Sequence, residues 1–323
     1  MSVEDLLSIE GIDEELAKRL IKAGVANVTV LAMTSIAKLT NPDFGIGLDR
    51  QTARGIKDAA EERCNKLFGF VTGEELIQQY STRQYLTTGI RTLDHILYDD
   101  RGLSTQLIYE LYGPGGGGKA DLLHQLVCTA SLPPKRGGLG VGAVYIDTEG
   151  KFSLEKIREI AQRFRIDYER LKQKILRFAP GKTDVLLHFC KVQLVPRARE
   201  RGIRLFCLDN LASLFHAEYD GWGKTTPERQ QKLNQVIGAL RRAAEQLNGI
   251  AIYTNQINMR GEPALGTATK HETNVRMLVD IKDAVKGLRV IKIEKALDLP
   301  PLETVVKLGP QGFRDLRKRV KRK

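Results

Sequence analysis

The stretch LYGPGGGGKADLL, residues 111–123, decides the reading of this chain. Gly113, four intervening residues, Gly118 and Lys119 match the phosphate-cradling pattern GxxxxGK[ST] up to its last position, where Ala120 stands. A strand, TQLIYELYG, runs into the motif, and a helix is expected from residue 120 to about 131, stopped by Pro133 and Pro134. In such a unit the glycines let successive N–H groups point at phosphates, and the helix adds the positive end of its dipole. The expected phosphate cradle is therefore Gly113, Gly115, Gly116, Gly117 and Gly118, with Lys119 reaching the outer phosphates and Ala120 and Asp121 opening the helix. Three features predict weak or metal-poor ATP binding. Ala120 has no hydroxyl to place on Mg2+. Asp121 complements the helix dipole but competes with the phosphates that use it. Four consecutive glycines make the loop costly to order.

Working outward, strand and helix patterns alternate. VGAVYIDTEG is a buried strand ending in Asp147 and Glu149, followed by a helix from about 154 to 165. IRLFCLD is another strand, ending at Asp209, and a long helix is expected over 228–247. GIAIYTNQ ends in Thr254, Asn255 and Gln256, and VRMLVDI, LRVIKIEKA and ETVVKLG read as three further strands. The sum is an α/β domain with a mostly parallel sheet whose active groups lie at strand C-terminal ends. Beside a P-loop, Asp209 is placed to hold a magnesium-bound water. A carboxylate at the end of YIDTEG can polarise an attacking water, and Gln256 can sense a γ-phosphate.

The 323 residues allow one large domain and a small one. Composition, with 42% hydrophobic and 28% charged residues, fits a soluble globular protein. No apolar run approaches the roughly 18 residues that span a bilayer. The acidic start MSVEDLLSIEG lacks a signal-peptide pattern. The four cysteines are scattered without a CxxC pair, which argues against zinc and fits a reducing cytoplasm. The net charge of +12 points to a polyanionic partner, as does the tail RDLRKRVKRK, with seven Lys or Arg against one Asp. The first sixty-odd residues read as helical, with glycine turns at Gly11 and at Gly45 and Gly47. Turn amides of this kind can meet a DNA phosphate, although Asp13 in the first turn repels an anion.

The two N-terminal hairpins resemble the helix-hairpin-helix module of DNA repair proteins. The order LTTGIRTLDHIL, P-loop, YIDTEG, EYDGWGKTTPERQQKLN, TNQ and LGPQGFRD is similar to the RadA/RecA-type strand-exchange recombinase family, in its archaeal and eukaryotic branch. The resemblance covers nearly the whole chain. It implies a helix-hairpin-helix domain over 1–66, a linker with a polymerisation motif over 67–88, a RecA-like ATPase core over 89–313 and a basic tail over 314–323. It also implies ATP and Mg2+ as cofactors. The implied partners are single- and double-stranded DNA, with assembly as a homo-oligomer or filament or together with a RadA recombinase. By position, Glu149 matches the catalytic glutamate, Asp209 the Walker B aspartate and Gln256 the γ-phosphate sensor. His271 matches the histidine that closes the second DNA loop. Arg229 matches a first-loop DNA contact, and Phe70 with Gly73 matches the plug that docks into the next protomer.

Departures from the family pattern are equally specific. Ala120 and Asp121 replace the usual Thr and Gln, and Lys156 stands where an arginine lies near the adenine. Trp222 replaces an arginine and can either stack on a base or be buried under a neighbouring loop. The segment 257–270 is shorter than the family's second DNA loop but keeps Arg260 and Lys270. Two readings follow: a RadA-type binding and assembly protein with weakened hydrolysis, or a fully active recombinase.

Overall fold

A computed structural model describes residues 3–68, 72–219, 227–258, 261–265 and 268–316. The chain divides into two compact units, Met1–Ser81 and Thr82–Lys323. Phe70, Trp222 and Arg260 lie outside the described residues, as does most of the basic tail.

The smaller unit is helical. Helices α1 (Val3–Leu7), α2 (Glu14–Lys22), α3 (Val28–Met33), α4 (Ile36–Thr40) and α5 (Arg50–Phe68) bury Leu6, Leu16, Leu20, Leu31, Leu39, Ile46 and Ile56 in one core. Asp13 is the N-cap of α2 and accepts from the Leu16 amide at 2.8 Å. Asp49 does the same for α5, accepting from the Gln51 and Thr52 amides at 2.9 Å. The hydrogen bonds from Thr52 and Gln51 hold the Asp49 carboxyl below its usual range. One amide at the start of α2 and two at the start of α5 are thus already used by the chain's own carboxylates. A separate helix, α6 (Gly73–Ser81), buries none of its side chains in this unit.

The larger unit opens with a two-stranded ribbon, β1 (Tyr85–Leu86) pairing antiparallel with β2 (Leu103–Ser104) around helix α7 (Arg91–Ile96). This ribbon begins inside the stretch read as linker. The core units follow in order: β3 (Leu107–Gly113), α8 (Lys119–Ala130), β4 (Ala143–Asp147), α9 (Leu154–Phe164), α10 (Tyr168–Gln173) and β5 (Ile175–Phe178). Next come α11 (Thr183–His188), α12 (Leu194–Glu200), β6 (Leu205–Asp209), α13 (Leu211–Tyr219), α14 (Pro227–Gln246), β7 (Ile250–Gln256) and α15 (Ala268–Glu272). Four strands end the chain: β8 (Val275–Asp283), β9 (Leu288–Lys295), β10 (Glu303–Gly309) and β11 (Gly312–Asp315).

The nine-stranded sheet has the order β11-β10-β9-β8-β3-β7-β6-β4-β5. From β8 to β5 every pairing is parallel, whereas β8 to β11 form an antiparallel meander. Strands β3, β4 and β6 are buried along their whole length, as central parallel strands covered by helices must be. One apolar cluster lies under α8 and α9, and another under α11 to α14. The last strand runs two residues into the stretch read as tail, because the Asp315 carboxylate accepts from the Arg91 and Thr92 amides at the start of α7. Among the described residues, no helix is long and apolar enough to cross a membrane.

Candidate functional site

Parallel pairing brings the ends of four strands to one edge. Gly113 lies beside Gln256 across β3 and β7, and Asp147 beside Asp209 across β4 and β6. The loop after β3 leads directly into α8. Gly118 has φ +101°, and an added Cβ would meet the Phe313 ring at 2.6 Å, so this position requires glycine on both counts. Gly115 has neither constraint. Lys119 is 9% exposed and folds back over the loop, donating to the Gly113 and Pro114 carbonyls at 2.8 Å each. Burial holds its ammonium below the usual lysine range, against the opposing pull of Asp209 and Glu149.

Lys119, Ala120, Glu149, Asp209, Thr254 and Gln256 share the wall of one cavity of about 280 Å³. Glu149 is held there by three donors: Lys151 at 2.5 Å, Gln256 at 2.9 Å and Asn210 at 3.0 Å. Asp209 accepts from the Thr254 hydroxyl at 2.6 Å and from the Tyr145 hydroxyl at 2.9 Å. Burial raises its carboxyl above the usual range even though both hydroxyls lower it. Asp147, the other acid of YIDTEG, serves structure. It accepts from the Arg177 guanidinium at 2.6 and 2.9 Å and from the Lys151 and Phe152 amides. Burial acts to raise its carboxyl, but the Arg177 and amide bonds prevail and leave it below the usual range. A larger cavity, about 490 Å³, lies by Tyr85, Arg101 and Gly137 and contains none of these groups.

Asp121 and Lys156 meet as a pair. The Lys156 ammonium lies 2.8 Å from the Asp121 carboxylate and 3.4 Å from the Gly309 carbonyl. The acid that opens α8 is therefore neutralised from α9. Arg229 is buried on α14, its guanidinium 3.5 Å from the His216 ring nitrogen. His271 is exposed on α15, and Lys270 precedes it on the same helix. Gly73 opens α6, where an added Cβ would meet open space. Beyond Gln256 the chain turns back at once: Ile257 bridges Pro263, and Asn258 donates to the Glu262 carbonyl at 2.7 Å.

Sequence reasoning missed Asn210, Lys151 and Arg289. Lys151 sits two residues past Glu149, a spacing that could have suggested the pair. Arg289 shares the inward face of β9 with Ile291 and Ile293, and a lone cation on an apolar face is the signal.

Fold and site together define a RecA-type P-loop core, with the phosphate loop and strand-end acids at one edge of a largely parallel sheet. The Rad51 family model matches residues 80–316, and the chain belongs to that family. It is 30% identical to the DNA repair and recombination protein RadA of Metallosphaera sedula, an alignment covering 97% of this chain and 96% of the relative. It is also 30% identical to the protein of the same name from Aeropyrum pernix, covering 97% of each chain.

Proposed function

We propose that this protein acts in DNA recombination and repair as a RadA-type protein. It binds single- and double-stranded DNA, assembles with itself or with a RadA recombinase, and holds ATP at the P-loop with weakened turnover. Gly115, Gly116, Gly118, Lys119 and the first turn of α8 line the cavity and suit a nucleotide's phosphates. When bound, Mg2+ neutralises phosphate charge. Asp209, which accepts from Thr254 and Tyr145, keeps a further lone pair on each oxygen for a metal-bound water. The ion's donor set here is still one hydroxyl short, because Ala120 offers a methyl group. That single observation carries the reading. In it, Glu149 orients the attacking water and Gln256 reports on the outer phosphate. Trp222, Arg229, Arg260 and Lys270 contact DNA, His271 closes the second loop, and Phe70 with Gly73 joins protomers. Cytoplasmic, DNA-associated placement goes with that role.

A second reading, a fully active ATP-dependent recombinase filament on single-stranded DNA, is favoured by the gathering of Lys119, Glu149, Asp209 and Gln256 around one cavity. ATP hydrolysis with Mg2+, with and without single-stranded DNA, separates the two. Under the first reading turnover is close to that of Lys119→Ala, and Ala120→Thr raises it at least tenfold. Wild-type turnover that rises strongly with DNA and is lost in Lys119→Ala overturns it in favour of the second.

A further inference from the structure

The phosphate loop contains four consecutive glycines and so brings little order of its own. Its order comes from behind. Cβ atoms added to Gly113 and Gly117 would lie 2.2 and 2.8 Å from the Val279 carbonyl of β8, so the loop is seated directly on that strand. From the neighbouring strand β9 comes Arg289, a residue 8% exposed. Its Nε donates to the Gly117 carbonyl at 3.2 Å, and its Nη2 donates to the Gly116 carbonyl at 3.2 Å. Its Nη1 donates to the Leu288 carbonyl at 3.0 Å, which fixes the guanidinium to its own strand.

A guanidinium is a rigid planar fork, so two consecutive carbonyls held by one fork have little freedom to rotate. A trans peptide points its C=O and the following N–H in opposite directions. Holding the Gly117 carbonyl on Arg289 therefore turns the Gly118 N–H away from it. Gly118 lines the cavity and Arg289 does not. The Gly117 N–H is itself used within the loop, donating to the Pro114 carbonyl at 3.2 Å.

We propose that Arg289 is a positioning residue for phosphate binding: it orders the tetraglycine loop before the nucleotide arrives by fixing its carbonyls on the face remote from the phosphates. The inference rests on reading the P-loop as a nucleotide phosphate site, but its first readout does not. In the nucleotide-free protein, hydrogen exchange is followed at the amides of Gly113 and Gly115 to Gly118 in wild type, Arg289→Leu and Arg289→Lys. Loop exchange is expected to rise about tenfold in Arg289→Leu, the scale of losing charge-assisted hydrogen bonds, while β3 and β7 stay protected.

The second readout is the affinity for a fluorescent ADP analogue, with Lys119→Ala as control. Arg289→Leu is expected to weaken binding about tenfold. Arg289→Lys, which keeps the charge and loses the fork, is expected to weaken it severalfold. Unchanged loop exchange in Arg289→Leu overturns the proposal, whatever happens to affinity, because Arg289 would then act only as a charge. Arg289→Lys binding as well as wild type overturns it too. If Arg289→Leu fails to fold, Arg289→Lys carries both readouts. Wild-type affinity equal to that of Lys119→Ala sinks the phosphate-site reading, and the exchange data still decide whether Arg289 holds the loop.

Discussion

Replacing Lys156 by methionine keeps the length of the stem and removes its charge, leaving the Asp121 carboxylate unpaired at the first turn of α8. The two groups are 2.8 Å apart, with side chains 23% and 28% exposed for Lys156 and Asp121. Unit charges about 4 Å apart attract by about 4 kcal/mol at an effective dielectric constant of 20. Desolvation and the entropy of fixing a lysine offset most of this, leaving about 1 kcal/mol for a partly exposed pair. That is roughly fivefold in an equilibrium constant. Lys156→Met is therefore expected to weaken a fluorescent ADP analogue about fivefold, because the uncovered carboxylate faces the phosphates. Asp121→Asn is expected to tighten it severalfold by freeing Lys156. The double variant should bind within about twofold of wild type. Equilibrium titration at fixed low salt, with urea midpoints to confirm folding, measures all four corners of this cycle. A Lys156→Met variant that binds as tightly as wild type, or a double variant that binds no better than Lys156→Met alone, would refute the idea that the two departures compensate each other.

Two further outcomes follow from the interior. Arg276 on β8 donates to Glu110 on β3 at 2.6 Å, and the two side chains are 7% and 0% exposed. Arg276→Met leaves that carboxylate buried without its cation, though Asn255 still donates to it at 2.8 Å, and should cost about 3 kcal/mol in urea unfolding, with Glu110→Gln in addition recovering most of it; a loss under about 1 kcal/mol contradicts this. His124 accepts from the Ser153 amide at 3.2 Å and stacks on Tyr145, and burial lowers its pKa to about 4. The unfolded chain then takes the proton first, so stability holds above the ordinary histidine pKa near 6.5 and falls as pH drops from there towards about 4. Imidazole NMR shifts should stay neutral down to pH 5, and a midpoint near 6.5 would show the ring to be solvated.

The parts of the site that could be read from sequence are those encoded locally. The P-loop spacing places its glycines and Lys119 within seven residues, and the strand-end positions of Asp209 and Gln256 follow from buried runs that stop at polar residues. The α/β class with a mostly parallel sheet follows from the same alternation. Strand β5 was not legible, because Ile175–Phe178 is a half-covered edge without an alternating or continuous apolar pattern. The helices between 168 and 200 surround a π-helical turn at Phe189–Gln193, which breaks the 3.6-residue period. Nor does local pattern separate Asp147 from Glu149, since the choice is made by Arg177, thirty residues away and on a neighbouring strand. Asp121 and Lys156 read as two unrelated departures until α8 and α9 are packed side by side. Arg289 reaches the loop across 172 residues of chain.

The register of the parallel strands has a consequence for which lengths of this chain are free to vary. The chemical groups sit on the last residues of β3, β6 and β7 and just past β4, all at nearly one level of the sheet. One residue inserted within β7 would carry Gln256 about 3.3 Å along and turn it to the opposite face. The same residue inserted after Gln256 would only enlarge a surface hairpin. The sheet thus acts as a ruler with fixed marks, while the loops beyond each mark can lengthen or shorten without shifting the groups on the strands. The bridge between Ile257 and Pro263 lies just beyond the mark at Gln256, on the side of it where length is free to change.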